Sequence, residues 1–216
     1  MVSQSRRPDR TTTRDRVLLA AEQEFAARGF DGAKVDRIAR LAGVNKAMLY
    51  YHFTNKVALY RAIIAERFGG IAAALRDVRF QGGDPREQLG RFVRTVAAET
   101  AREPHFPALW LREMAEGGRH LTPAIVGEIR EIVAVLAEIL ADGQRRRLFR
   151  AVNPFVVQMS IVAPLLLFAA SEPVRLKFGE MLPSKMVRVP PQLIVDYVET
   201  MTRAGVKPIS SKRKTS

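Results

Sequence analysis

Apolar side chains recur at intervals of three and four residues along almost every segment longer than ten residues, and no stretch sustains the two-residue alternation of a half-buried strand. That spacing predicts an all-α chain. Of the 216 residues, 47% are hydrophobic and 26% charged, which supplies a packed core and excludes a disordered chain. There is no cysteine, so disulfide scaffolds, thiol nucleophiles, iron–sulfur clusters and cysteine zinc sites are excluded.

The punctuation of the chain places about nine helices. Thr12 or Thr13 caps the first, which carries Leu18, Ala21 and Phe25 on one stripe and ends at Gly29. A short helix over 35–42 buries Val35, Ile38, Ala39 and Ala42, Gly43 turns the chain, and another short helix covers 45–52. Two short helices about a tight glycine turn are the spacing of a helix-turn-helix. A fourth helix, 56–78, is broken by Gln81-Gly82-Gly83-Asp84-Pro85, where Asp84 caps and Pro85 starts the helix over 86–102. Others are expected at 106–116, 123–144, 154–171 and 191–204, with a loose connection over 172–190. The expected organisation is a flexible basic arm (1–12), a helix-turn-helix domain (13–55), a helical ligand-binding and dimerisation domain (56–206) and a basic tail (207–216).

Charge singles out the two ends. Lys and Arg number 35 against 22 Asp and Glu, a net charge of +13, and residues 1–56 carry 11 of these bases against 6 acids while residues 207–216 carry 4 against none. A polyanionic partner, an anionic membrane surface or a well-solvated exterior would each suit such an excess, and a polyanion is to be sought first near the N-terminus. No basic start followed by an apolar stretch opens the chain, so a cytoplasmic protein is expected.

The informative run is Arg40–Lys56, RLAGVNKAMLYYHFTNK. Val44, Leu49 and Phe53 can face the first two helices, leaving Asn45, Lys46, Ala47, Met48, Tyr50, Tyr51 and His52 for the outer surface. Asn can pair with adenine edges, Lys can reach guanine acceptors or phosphate, and the Ala and Met methyls can touch a thymine methyl. The tyrosines add phosphate donors, and Lys56 brings charge to a helix N-terminus that already favours anions.

These residues carry a resemblance. Ala20-Ala21, Phe25, Gly29-Phe30, Ile38-Ala39, Ala42-Gly43-Val44, Leu49-Tyr50, His52-Phe53, Asn55-Lys56 and Leu59 stand where the helix-turn-helix signature of the TetR family of bacterial transcriptional regulators has equivalent residues. The resemblance implies a nine-helix subunit, a homodimer on a palindromic double-stranded DNA operator, and a C-terminal cavity for a small-molecule effector that usually releases the DNA. It implies base contacts from Asn45, Lys46, Ala47 and Met48, and phosphate contacts from Tyr50, Tyr51, His52 and Lys56. Two departures stand out. Ala33 replaces a common Thr at the entry to the second helix, where Lys34 can partly substitute, and Ala47-Met48 replaces a small Gly-Thr or Gly-Ser pair. Arg6, Arg7 and Arg10 can reach DNA as an arm or simply remain solvated.

Beyond residue 84 the resemblance extends to helix count and length only. Phe155–Ala170 is the most apolar run, but sixteen residues containing Gln158 and Pro164 fall short of the roughly 20 that span a bilayer, so a buried helix and no membrane partner are expected. By resemblance, the last two long helices form the dimer interface. Candidate pocket residues are Phe106, Leu109, Trp110, Glu113, Met114, Met159 and Phe168, with ordinary core packing the competing role for each. Trp110 and Glu113, three apart on one helix, would suit an apolar ligand with a polar or cationic group. No phosphate loop, nucleophile elbow or HExxH motif is present, and His52, His105 and His120 lack metal-pair spacing. No enzyme activity, cofactor or metal is therefore expected. The expected function is that of a ligand-responsive regulator, most simply a repressor. A DNA-binding protein without ligand response, or an activator, is the alternative.

Overall fold

The computed structural model describes residues 12–208, so the basic arm and the distal tail lie outside the described residues. Among those residues there is no strand. The helices are α1 (Thr13–Gly32), α2 (Val35–Ala42), α3 (Lys46–His52), α4 (Lys56–Phe80), α5 (Pro85–Arg102), α6 (Phe106–Ala115), α7 (Pro123–Arg145), α8 (Pro154–Ala170), α9 (Glu172–Lys177), α10 (Ser184–Val187) and α11 (Pro191–Val206). The chain falls into two compact units that meet inside α4, between Ile63 and Ile64.

In the first unit, Thr12 and Asp15 close a capping box on α1, and the backbone leaves the helical region at Gly29 (φ 69°). Val17, Leu18, Ala21 and Phe25 of α1 pack with Ile38 and Ala39 of α2, Leu49 of α3, and Leu59, Tyr60 and Ile63 of α4, all buried. Each such Leu, Ile or Phe stabilises the fold by roughly 1.5–3 kcal/mol of apolar burial. The Tyr60 ring stands edge-on to Phe25 at 4.9 Å and to Phe30 at 5.2 Å. Gly43 ends α2 at φ 65°, ψ 37°, donating its N–H to the last turn. A side chain there would add roughly 1 kcal/mol of left-handed strain, so the turn between α2 and α3 selects glycine.

The second unit is built around α5 and α8. α5 packs against α7, α8 and α11, and α8 packs also against α6 and α7. The helix starts follow from local chemistry. Asp84, Thr122 and Asn153 each cap with a side-chain oxygen, and a proline follows each at the first helical position. Gly90 lets α11 come close, since a Cβ there would collide with Arg203 and Glu199. Glu199 receives Arg94 from α5 at 2.7 Å and Arg203 at 2.7 Å. Burial raises its carboxyl pKa, but the two arginines outweigh burial and hold it below the ordinary value. A depressed folded pKa gives stability that is present above the unfolded value and lost as pH falls through the folded one. The thermal midpoint of the wild type should accordingly fall more steeply than that of Glu199→Gln between about pH 5 and 3, with the wild type ahead at neutral pH. Parallel melting curves would remove Glu199 from the acid response.

Two expectations are corrected. The connection over 172–190 contains α9 and α10, giving eleven helical segments rather than nine among the described residues. The apolar run is also longer than sixteen residues. α8 and α9 abut at Ser171 and make a 24-residue stretch, Pro154–Lys177, long and apolar enough to cross a membrane, with a mean hydropathy of 1.8 and 28% of its most apolar window buried. Its place in the fold is decided by packing, with Val157, Gln158, Ile161, Leu165 and Leu166 buried in the bundle.

Candidate nucleic-acid interface

Leu49 fixes which way α3 faces. It is fully buried, and at 100° per residue Ala47 and Tyr51 lie roughly 160° away, with Met48 and Tyr50 on their flanks. The exposures agree. Tyr51 is 83% exposed, Met48 and Tyr50 are each 42% exposed, Lys46 and Ala47 are exposed, and His52 is half-buried beside the Tyr51 ring at 5.3 Å. Val44, expected in the core, is only half-buried.

Asn45 precedes α3 rather than belonging to it. Its Oδ1 accepts the Met48 N–H at 2.7 Å, capping the helix. Bidentate recognition of adenine needs both Oδ1 and Nδ2, so while the cap is formed only the Nδ2 donors are available. Lys46 is held in an ion pair with Asp36 of α2 at 2.9 Å, and the Asp36 hydrogen bond raises its pKa. The ammonium is fully charged, and reaching a phosphate requires exchanging that carboxylate for it.

Lys34 is exposed at the N-cap of α2 and makes no side-chain cap there. The position lacking a threonine, Ala33, is buried, and Glu24 supplies what the missing hydroxyl does not. Its buried carboxylate accepts the Lys34 N–H at 3.3 Å and pairs with Arg37 at 3.0 Å and Arg28 at 3.4 Å. Lys56 begins α4, whose first turn is capped by Asn55 Oδ1 accepting from Ala58 N–H at 2.8 Å. The Lys56 ammonium donates to the Asp31 carbonyl at 3.3 Å and lies 4.6 Å from the Phe30 ring centroid, which tethers it. Sequence reasoning missed Asp36 and Glu24, because nothing in an isolated acidic residue announces a partner ten residues away.

In the second unit the pocket candidates separate. Phe106 and Leu109 are buried core, and Trp110 stands edge-on to Phe68 at 4.7 Å in an aromatic cluster with Phe106. Met114 is exposed on α6, and Met159 is half-buried on α8. Glu113, read as a possible ligand carboxylate, is fully buried and already occupied. Its two oxygens accept the His120 backbone N–H at 2.7 Å and face His120 Nδ1 at 2.8 Å. Arg119 Nε stands 3.3 Å from His120 Nε2 and 3.5 Å from Glu116. The hydrogen-bond partners suit an imidazole donating from Nδ1 and accepting at Nε2. Glu113, Glu116 and His120 thus come together within 4.8 Å, a grouping that could hold a metal ion, but a cation there would share its site with the Arg119 guanidinium. Phe168 lines the cleft between α5, α8 and α11.

Residues 17–63 match the family profile of bacterial regulatory proteins of the tetR family, and residues 85–182 match the tetracyclin repressor-like C-terminal domain. The HTH-type transcriptional repressor NicS of Pseudomonas putida is 31% identical over 143 residues, 64% of this chain and 66% of NicS. The HTH-type transcriptional regulator RutR of Escherichia coli is 26% identical over 138 residues, 64% of this chain and 65% of RutR. The chain therefore spans just under two thirds of the length of these curated relatives. Among solved structures, the transcriptional regulator FadR from Bacillus subtilis in complex with stearoyl-CoA shares the fold with a TM-score of 0.64 at 16% identity, covering 88% of this chain and 98% of that one. With both halves matched in their own order, the chain belongs to the TetR family of bacterial regulatory proteins.

Proposed function

We propose that the protein is a cytoplasmic, homodimeric, sequence-specific DNA-binding regulator of transcription, a repressor released from a palindromic operator by a small effector. The observation that carries this reading is the face of α3. Lys46, Ala47, Met48, Tyr50 and Tyr51 are all exposed on a helix whose opposite side is pinned by Leu49 behind a glycine turn. A helix so mounted offers a major groove both hydrogen-bond donors and methyl groups, while the tyrosines and Lys34 reach the flanking phosphates. Met48 has no hydrogen to donate and reads by apolar contact. The repressor named among the relatives supports the sign of regulation.

Two copies are supported by α8 and α11. Val156 and Leu167 of α8 and Leu193, Tyr197 and Met201 of α11 are all more than half exposed, and those of α11 recur every fourth residue. A contiguous apolar face of this kind is what an isologous dimer buries, and a two-fold axis calls for a palindrome. The acyl ligand named for the FadR structure supports an effector site in the second unit, with α4, continuous across both units, as the mechanical link.

Selection of bound sequences from a random DNA pool at near-physiological salt tests the proposal. Recovery of a palindrome with half-sites about one helical turn apart is expected. Binding without a motif, lost smoothly as salt rises, would instead make the protein a nonspecific polyanion binder. A reporter driven through the selected operator separates repressor from activator.

A further inference from the structure

The second unit holds a cleft of about 230 Å³ between α5, α8 and α11, closed on one side by the α9–α10 segment. Its walls are apolar, with Leu165, Phe168, Ile194 and Val195 among them, and Thr100 adds a hydroxyl. Among the described residues one cation lines it. Arg175 of α9 donates from Nη1 to the Phe168 carbonyl at 2.7 Å and to Ser171 Oγ, and its guanidinium lies 4.3 Å from the Phe168 ring centroid. These contacts fix the plane of the guanidinium. Its Nε is shielded from solvent and has no hydrogen-bond acceptor, and no carboxylate among the described residues pairs with Arg175.

We propose that this cleft is the effector site and that the effector is a small apolar monocarboxylate, its carboxylate docked on Arg175. The proposal rests on the reading of the protein as a ligand-responsive regulator and names the chemistry of its ligand. With Nη1 occupied and Nε enclosed by the protein, Nη2 is the guanidinium nitrogen left to a ligand, and a carboxylate accepts from it in a charge-assisted hydrogen bond. A cleft of this size suits a small ligand. Glu172, exposed at the rim one helical turn from Arg175, disfavours a second negative charge. The wider cleft of about 480 Å³ nearby is lined by Val156 and Met201, which lie on the face assigned to the dimer, and has less claim to a ligand. Arg175 is bonded to the last turn of α8, so a bound carboxylate would act directly on a helix of that face.

The test is calorimetric titration of the full chain with octanoate and phenylacetate, against octan-1-ol and octylamine as uncharged and cationic controls. At least one carboxylate should bind once per subunit, and neither control should match it. Arg175→Met should weaken that binding at least tenfold and Arg175→Lys should recover part of it. Should Arg175→Met fail to fold, Ala169→Phe, which fills the cleft without touching the Arg175 contacts, should abolish binding instead. Absence of binding by both carboxylates, equal binding of octan-1-ol, or unchanged affinity in Arg175→Met or Ala169→Phe would overturn the assignment. DNA binding measured on the same preparations stands apart. Its failure would refute the regulator reading whatever the titration gives, and its success beside a silent titration would refute only the cleft.

Discussion

Glu113→Ala is expected to destabilise the protein by about 3 kcal/mol, because it removes a buried carboxylate that two groups of His120 meet. The Glu113 carboxylate is fully buried, and its oxygens meet the His120 backbone N–H and Nδ1, closing the turn between α6 and α7. Gly118 adds a backbone bond of 2.8 Å to the Glu113 carbonyl, so the same residue holds the turn by main chain and side chain. Denaturant unfolding at fixed subunit concentration would show the loss as a lower midpoint, and the thermal midpoint should drop by roughly 10 °C. Glu113→Gln retains one acceptor and should recover about half. A change below about 0.5 kcal/mol in the alanine variant would mean that the turn relaxes without cost and that the pair is not a clamp.

Tyr51→Ala should leave folding and dimerisation untouched and still lower affinity for the selected operator roughly a hundredfold. Tyr51 is 83% exposed, so its truncation removes almost no packing from the first unit. In the proposed interface it stands at the outermost line of α3, and a hydroxyl donating to a charged phosphate oxygen would be worth about 1.5 kcal/mol. A dimer loses that on each half-site, about 3 kcal/mol in all. Tyr51→Phe separates the hydroxyl from the ring. If it binds like wild type while Tyr51→Ala does not, contact of the ring with sugar or base carries the effect. Wild-type affinity in Tyr51→Ala would mean that α3 does not present this face to the groove.

Helix positions were legible along the chain because helix formation is settled within a few residues. Asp84 before Pro85, the Thr12–Thr13 pair and Gly43 mark ends through bonds to backbone groups two to four positions away, and the structure places helix boundaries at each. The three- and four-residue spacing of Leu18, Ala21 and Phe25 likewise identified a buried stripe that the fold packs inward. The connection over 172–190 was misread because neither α9 nor α10 has a side-chain cap or buries a residue.

The candidate interface was legible in outline for the same reason. Leu49 at the centre of a seven-residue helix leaves few positions to face outward, so the exposed set follows from helix geometry. The partners of those residues were not legible. Lys46 meets Asp36 ten positions back, Lys56 meets the Asp31 carbonyl twenty-five back, and Glu113 meets His120 across a turn rather than a ligand.

The sequence by itself determined an all-helical chain with a helix-turn-helix near its N-terminus, because capping, glycine geometry and apolar periodicity act locally. Only the tertiary structure decided which charges are spent within the protein and which remain to be met. Asp36 and Lys46, Glu113 and His120, and the unmet Nε of Arg175 are set by helices packing side by side, and the distance between side chains on neighbouring helices is written nowhere in their spacing along the chain.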